Sequence, residues 1–286
     1  MFSDTIHAEN VLPYQNDRYD GVVVDAAHLP ASLEDFSLQL TSSLEEWRKL
    51  NRRGVWLRIP IDKSHFIASA VRSGFVFHHA EKDYLMLTHW LSESEENHLP
   101  PNASHQVGVG CVVVSPDNKL LLVQERNGPL KGTGVWKLPT GLLEAGEDIP
   151  EAACREVLEE TGVHTEFVSL LCFRQAHGVQ FGKSDLFFVC VLRPTSFDIN
   201  HQVSEITACE WLEPEAFFDQ AFFKNSALFT EINRLIQKEI KGEGKEEGGT
   251  QSSSFRRRTY ELGWRPGQHT LYFPTRDNEK DAPTLE

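Results

Sequence analysis

The spacing of hydrophobic residues predicts a helix flanked by strands in the first third of the chain. The apolar residues of this helix recur at three- and four-residue steps, which gathers Phe36, Leu40, Leu44, Trp47 and Leu50 on one face. Strands are predicted at 21–25, 55–60, 75–79 and 84–90. Residues 17–95 are therefore expected to form a small α/β domain in which this helix face packs into the core.

A second pattern begins after a stretch that lacks periodicity. Residues 92–104 contain several acidic residues and the Pro100–Pro101 pair, which predicts a linker. Beyond it, strands are predicted at 107–115, 119–124, 167–173 and 185–192, and helices at 149–161 and 227–241. Because strands and helices interleave, residues 104–241 are expected to form a layered α/β domain.

The composition changes again after Lys241. Residues 242–286 begin with a mixture of Gly, Glu, Lys and Ser that buries too little apolar surface to offset its chain entropy, so we expect a mostly disordered C-terminal tail. The run Arg256–Arg258 is interpreted as part of this solvated tail, and a docking peptide for a partner is the alternative.

The overall composition is that of a soluble globular protein, with 40% hydrophobic and 24% charged residues. No apolar run approaches the ~18 residues of a membrane span. The N-terminus also lacks a signal-peptide pattern, so we expect a cytoplasmic protein. The formal net charge of −14 argues against a nucleic-acid partner, because such proteins usually present a concentrated basic surface. The five cysteines form no CxxC pair, which predicts reduced, mostly buried thiols.

Candidate chemistry is concentrated in residues 141–163, which read GLLEAGEDIPEAACREVLEETGV. Asp148 is a good N-cap, Glu151 three residues later completes a capping box, and Pro150 is tolerated in the first helical turn. Gly162 supplies the left-handed conformation that ends a helix. The pattern therefore predicts that the acidic residues after Arg155 are helical.

Three of these acids, Glu156, Glu159 and Glu160, share an arc of roughly 100° on the helix. The neighbouring arc is apolar and is expected to dock on the sheet; it carries Ala153, Cys154, Val157 and Leu158. Carboxylates this close repel one another, and a hard cation such as Mg²⁺ or Mn²⁺ would relieve the repulsion. A solvated acidic helix face is the alternative, but seven fixed residue identities at fixed offsets disfavour it.

The segment resembles the Nudix box, GX5EX7REUXEEXGU with U aliphatic, and every specified position is met. The resemblance implies an α/β/α sandwich and a metal-dependent enzyme that cuts the pyrophosphate of a nucleoside diphosphate linked to another group. It implies that Glu156 and Glu160 are the principal metal ligands. Glu159 would be a further ligand or a water-positioning carboxylate, and the carbonyl of Gly141 would complete the shell.

The likeness extends beyond the box. The stretch at 131–141, KGTGVWKLPTG, and the stretch at 174–177, RQAH, look like the plant-type branch that includes ADP-ribose and NADH pyrophosphatases. Residues 78–87, HHAEKDYLML, are similar to the small acetyltransferase-like domain that precedes the Nudix domain in this branch. Thr140 departs from the glycine of many members. The resemblance implies cleavage of ADP-ribose or NADH to AMP and a phosphorylated remainder.

Two further roles are assigned to single residues. By the resemblance, Arg155 and Glu147 would form a salt bridge that orients the site. A general base is also needed, and Glu205, in a loop-like stretch before 209–212, is a candidate; an ordinary surface glutamate is the alternative. A non-catalytic Nudix module that binds a nucleotide or a protein partner is the second functional hypothesis.

Other motifs are weaker. Residues 178–184 are one residue short of a Walker A loop and lead into a strand, whereas that motif requires a helix. The pair His78–His79 is expected to be structural, because neighbouring residues of a strand point to opposite sides. The first domain shows no Gly-rich pyrophosphate loop, so acetyl transfer is disfavoured. We expect it to mediate a homodimer or to shape the substrate entrance.

Overall fold

The computed structural model describes residues 5–241, 255–262 and 265–274. The chain divides into two compact units, Met1–Ala103 and Ser104–Glu286. Both contain helices packed on sheets, which confirms the α/β class. No helix among the described residues has the length and apolar character needed to cross a membrane.

The N-terminal unit contains a five-stranded sheet in the order β1-β2-β3-β5-β4. Its strands are β1 Tyr14–Asn16, β2 Val22–Val24, β3 Gly54–Pro60, β4 Val76–Ala80 and β5 Tyr84–Trp90. Its helices are α1 Leu33–Lys49 and α2 Ile67–Arg72, with 3₁₀ turns at Ala26–His28 and Ile61–Phe66. The four predicted strands are thus confirmed within one or two residues, while β1 was not predicted.

Helix α1 supplies much of the core of this unit. Ser32 caps it by accepting a hydrogen bond from the backbone N–H of Asp35 at 3.0 Å. The predicted apolar face is buried, with Phe36, Leu40, Leu44 and Trp47 all at most 5% exposed. The inclusion of Leu50 was wrong, because the helix ends at Lys49 and the Leu50 side chain is 46% exposed.

The histidine pair in β4 corrects a second expectation. A register shift between Phe77 and His79 interrupts the alternation of side chains along the strand. The two imidazoles consequently meet, with His78 Nδ1 2.6 Å from His79 Nδ1. The His78 Nε2 atom lies 2.9 Å from the carbonyl oxygen of Pro100. The pair is hydrogen-bonded within its own unit, although not for the predicted reason.

The C-terminal unit has a six-stranded sheet in the order β12-β13-β9-β10-β6-β8 and a two-stranded sheet, β11-β7. The strands are β6 His105–Val113, β7 Leu120–Glu125, β8 Thr140–Leu142, β9 Thr165–Ala176, β10 Ser184–Pro194, β11 Ile206–Leu212, β12 Phe255–Leu262 and β13 Arg265–Pro274. The helices are α3 Ile149–Thr161, α4 Glu215–Phe218, α5 Ala221–Lys224 and α6 Ala227–Ile240.

Helices cover both faces of the larger sheet. Alternate residues of β6 point in opposite directions: Val109, Cys111 and Val113 pack in the cluster that contains α3, whereas Val112 packs in the cluster that contains α6. This arrangement is the α/β/α sandwich that the resemblance to the Nudix box implies, and it confirms the layered α/β domain predicted from the pattern of strands and helices. The five cysteines are free thiols, and four of them are buried.

Part of the C-terminal segment departs from the predicted disorder. Strands β12 and β13 form a hairpin, and β13 pairs with β9 from His269↔Ala176 to Tyr272↔Phe173. Leu271 and Phe273 are buried in the same cluster as α6. The apolar side chains of this short stretch therefore find a partner in the sheet edge, which the average composition of the segment conceals. The remainder of 242–286 lies outside the described residues.

Candidate active site

The acidic helix α3 has the predicted ends. The backbone N–H of Asp148 donates to Glu151 Oε2 at 3.5 Å in a capping box, and Gly162 adopts a left-handed φ of 78°. Ala152, Ala153 and Val157 are fully buried against the sheet. The expectation that Leu158 docks on the sheet was wrong, because its side chain is 39% exposed. The buried face of the helix includes Ala152 in its place.

Arg155 is the centre of a hydrogen-bonded network at the mouth of the site. Its guanidinium binds Glu147 through both carboxylate oxygens, with Nε to Oε1 at 2.7 Å and Nη2 to Oε2 at 2.8 Å. It also donates to Glu156 at 2.9 Å, to Glu159 at 3.1 Å and to the carbonyl of Leu142 at 3.0 Å. The bond from Arg155 lowers the pKa of Glu147 to about 2.

Glu156 lies directly over the backbone of β8. A Cβ atom at Gly141 would overlap the Glu156 carboxylate, so only glycine leaves room for it. Burial raises the pKa of Glu156, and the neighbouring Glu159 and Glu147 add to the rise, while Arg155 opposes it. The Gly141 backbone and the Glu156 carboxylate are therefore held in close approach.

Glu160 is the most deeply placed acid, with 7% of its side chain exposed. Its Oε2 accepts a hydrogen bond from the backbone N–H of Thr140 at 3.1 Å, and its Oε1 lies 3.9 Å from Lys137 Nζ. Burial raises the pKa of Glu160 to about 7, although Lys137 and the Thr140 N–H act in the opposite direction. Glu159, by contrast, is 54% exposed at the rim.

These donors fit a hard divalent cation. Among the described residues, no three His, Cys, Asp or Glu side chains are already gathered as a metal site. Yet Glu156 and Glu160 are desolvated, and the charge of Glu156 raises the pKa of Glu160 further. A bound cation would offset both the desolvation and the repulsion, because carboxylate and carbonyl oxygens are the ligands that Mg²⁺ and Mn²⁺ prefer.

Sequence reasoning missed two charged residues of the site, Lys137 and Glu125. The Lys137 ammonium lies 2.9 Å from Glu125 Oε1 and donates to Thr140 Oγ1 at 2.7 Å. Lys137 was visible inside the stretch at 131–141, but its partner comes from the end of β7. The contact depends on strand pairing between Val123 and Lys137, for which the sequence carries no local signal.

A cavity of about 440 Å³ is lined by Lys137 and Thr140, the two residues that contact Glu160. Its wall is mostly apolar and includes five aromatic rings, those of Phe187, Phe217, Phe222, Phe223 and Phe229. Its polar part is formed by Glu125, Lys137, Thr140, Asn233 and Arg174, and Arg174 is paired with Asp185 at 2.9 Å. The cavity thus joins an apolar surface to the charged end of the site.

Glu205 lies near this edge through its backbone. Its carbonyl accepts a hydrogen bond from the N–H of Arg126 at 2.7 Å, one residue beyond Glu125. Its side chain is exposed, and within the described part of the chain it makes no hydrogen bond or ion pair. Its role as a base stays a prediction.

Known proteins resemble the chain along most of its length. A model described as Nudix hydrolase domain matches residues 12–91, and one described as NUDIX domain matches residues 104–231. The chain is 45% identical to Nudix hydrolase 2 of Arabidopsis thaliana over 236 residues, covering 82% of this chain and 84% of that protein. It is 46% identical to Nudix hydrolase 10 of the same plant, covering 79% of both chains.

An animal relative matches a shorter part of the chain at about the same identity. The human protein named nucleoside diphosphate-linked moiety X motif 6 is 46% identical over 204 residues, covering 69% of this chain and 63% of its own. The chain therefore belongs to the Nudix hydrolase family, as the box at 141–163 predicted. It is a hydrolase of the kind that generally uses divalent metal ions.

Proposed function

We propose that this hydrolase cleaves the pyrophosphate of a nucleoside diphosphate linked to another group, with ADP-ribose and NADH as the foremost substrates and Mg²⁺ or Mn²⁺ as the cofactor. The observation that carries the proposal is the pair of desolvated carboxylates: Glu156 lies over the Gly141 backbone, and Glu160 contacts Thr140 and Lys137, which line the cavity. Such a cavity suits a flat nucleoside, and the carboxylates suit the ion that accompanies its phosphates.

In this proposal Glu156, Glu160 and the Gly141 carbonyl hold the cation, and Glu159 at the rim is a further ligand or orients a water molecule. The bound ion would supply Lewis-acid activation of water and charge stabilisation of the phosphates. Arg155 keeps the Glu156 carboxylate aimed across the Gly141 backbone, and Glu147 fixes the guanidinium through two parallel bonds. Water then displaces one phosphate from the other, giving AMP and a phosphorylated remainder.

A base must accept the proton of the attacking water, and we retain Glu205 for this role. Its support is position: the loop that ends at Glu205 hydrogen-bonds to Arg126 at the edge where Glu125 lies. A Glu205→Gln variant should lower kcat by about 10²-fold or more while KM and ion affinity change little. An unchanged kcat would show that Glu205 is not the general base but an ordinary surface glutamate.

The experiment that tests the function is a substrate panel. Purified protein is incubated with ADP-ribose, NADH, FAD, coenzyme A and a nucleotide sugar, with Mg²⁺, with Mn²⁺ and with chelator, and the products are weighed by mass spectrometry. We expect AMP from ADP-linked substrates only when an ion is present. Release of free base or of inorganic phosphate would contradict the reaction. Tight binding of a nucleotide without turnover would favour the non-catalytic module.

A further inference from the structure

Lys137 occupies an unusual place for a lysine. Its backbone N–H and carbonyl both pair with Val123, with both hydrogen bonds at 2.9 Å, so the residue is anchored to β7. Its side chain is only 12% exposed and lines the aromatic cavity at the end nearest Glu160. A long, charged side chain is seldom withdrawn from water in this way unless it is paired.

The pairing leaves part of the ammonium group free. Nζ donates to Thr140 Oγ1 at 2.7 Å and forms an ion pair with Glu125 Oε1 at 2.9 Å, while Glu160 Oε1 at 3.9 Å is beyond hydrogen-bond range. A lysine ammonium has three donors. Within the described residues, one donor of Lys137 is therefore left for an acceptor that the protein itself does not provide.

The other cation of the cavity is already neutralised. Arg174 binds Asp185 at 2.9 Å, and its guanidinium lies 5.1 Å from the centre of the Phe187 ring. Lys137, in contrast, shares its charge between two acids, Glu125 and Glu160. An ion held by Glu160 would take over the charge of that carboxylate, so that Lys137 would share its ammonium with one acid only, Glu125, beside the cavity.

We propose that Lys137 binds a phosphate oxygen of the substrate, with Glu125 and Thr140 holding its ammonium at the junction of the cavity and the catalytic carboxylates. The inference rests on the proposed function, because it assigns a contact to that same substrate. It adds a charged recognition element that lies outside the box at 141–163. A purely structural counter-ion for Glu125 and Glu160 is the competing role.

Two substitutions separate these roles. In Lys137→Gln the phosphate contact is lost. In Glu125→Gln the amide oxygen can still accept from the Lys137 ammonium and hold it in place, while the competing negative charge is removed. Phosphate binding predicts opposite outcomes: Lys137→Gln weakens nucleotide binding, and Glu125→Gln leaves it unchanged or strengthens it. A structural counter-ion predicts that both substitutions damage the site in the same direction.

The experiment measures binding of the α,β-methylene analogue of ADP by calorimetry in Mg²⁺, together with Mn²⁺ affinity and the thermal unfolding temperature of each full-length variant. We expect about a tenfold or greater loss of analogue affinity in Lys137→Gln, the scale of a charged hydrogen bond. Lys137→Arg should recover most of the loss. Lys119→Gln, which removes a surface lysine of the β6–β7 turn, is the matched control and should bind like the wild type.

Unchanged analogue binding in Lys137→Gln, or equal losses in Lys137→Gln and Glu125→Gln without recovery in Lys137→Arg, would overturn the assignment. If the wild type binds and cleaves its substrate while Lys137→Gln binds the analogue normally, the assignment of Lys137 is wrong but the proposed function still stands. A wild type that neither binds the analogue nor cleaves the panel removes the proposed function and this assignment together. The unfolding temperatures show whether any loss reflects a damaged fold.

Discussion

Both units consist of sheets covered by helices, yet they differ in whether they bury charged side chains. In the described part of the N-terminal unit, the buried polar side chains are hydroxyls: Ser43, Ser69 and Thr88. The C-terminal unit buries two carboxylates, Glu160 and Asp185. Burying an acid is costly unless something compensates for it. The contrast indicates that the interior of the first unit serves packing alone, whereas the second unit also holds buried acids of the kind that a reaction uses.

The largest effect should come from the buried acids of α3. We expect Glu156→Gln and Glu160→Gln to lower kcat by roughly 10²- to 10³-fold or more, on the scale of removing one charge-stabilising group. Steady-state kinetics at saturating Mg²⁺ would measure this, with circular dichroism to confirm the fold. The exposed Glu166→Gln serves as control. Full activity in either α3 variant would break the contrast between the units.

Gly141 provides a steric test of the same region. In Gly141→Ala the new methyl group would displace the Glu156 carboxylate, so we expect kcat to fall by about 10²-fold, the cost of a misplacement of about 1 Å. Direct Mn²⁺ titration should show weaker binding. Gly132→Ala is a useful control, because a Cβ there meets nothing within 4 Å. Its left-handed φ of 70° makes the alanine there strained, so the thermal unfolding temperature of both variants is measured to separate a loss of stability from a loss of turnover.

The hairpin of β12 and β13 should stabilise the C-terminal unit. Leu271→Ala removes a fully buried side chain from the cluster that contains α6, so we expect the free energy of unfolding to fall by about 2–5 kcal/mol. Urea denaturation would measure the change. Val203→Ala alters a side chain that is 67% exposed and should leave stability nearly constant. Equal stability of the two variants would show that the hairpin is not part of the core in solution.

A pH-dependent effect is expected at Glu147. Its pKa lies at about 2 in the folded chain and at 4.5 ordinarily, so its ionised form stabilises the fold above about pH 4.5. This contribution is lost as the pH falls towards 2. The deficit of Glu147→Gln relative to the wild type should therefore be full at neutral pH and shrink below pH 4.5. Thermal unfolding across this range would measure it, and a constant deficit would contradict the ion pair.

The smallest effect should come from the N-terminal unit. His78→Ala removes a ring that is hydrogen-bonded to His79 and Pro100 in that unit, so we expect kcat, KM and Mn²⁺ affinity to stay unchanged. A large loss of turnover would show that the N-terminal unit contributes directly to the chemistry, and the two units would then no longer differ in function.

Local signals in the sequence predicted the best-matched elements. Helix α3 begins and ends as its capping box and Gly162 require, and β5 was predicted at its observed bounds. Strands β8 and β11 were missed. The first has only three residues, and the second follows a polar stretch without clear alternation. Both strands form by pairing with a neighbour, β8 with β6 and β11 with β7, and these pairings have no local signal in the sequence.

The site divides in the same way. The acids of α3 belong to one continuous motif, so their spacing could be interpreted from the chain alone. Lys137 and Glu125 meet only because β7 pairs with the residues before β8, and that pairing is a long-range contact. The bulge that joins His78 and His79 is likewise set by β5, across the sheet. The periodicity of a sequence predicts the type and bounds of an element, but it does not predict which other element will pair with it.

The position of the acids on α3 has one more consequence. Glu159 and Glu160 occupy the last turn, where no basic residue is present and where the helix dipole is negative. In the proposed function, a cation bound at these acids would offset the repulsion between them and with the helix dipole. Because such an ion would bind the folded chain and not the unfolded one, a higher free concentration of divalent ions should then raise the free energy of unfolding as well as the turnover. Under that proposal, depletion of these ions would both inactivate the enzyme and leave it easier to unfold and degrade.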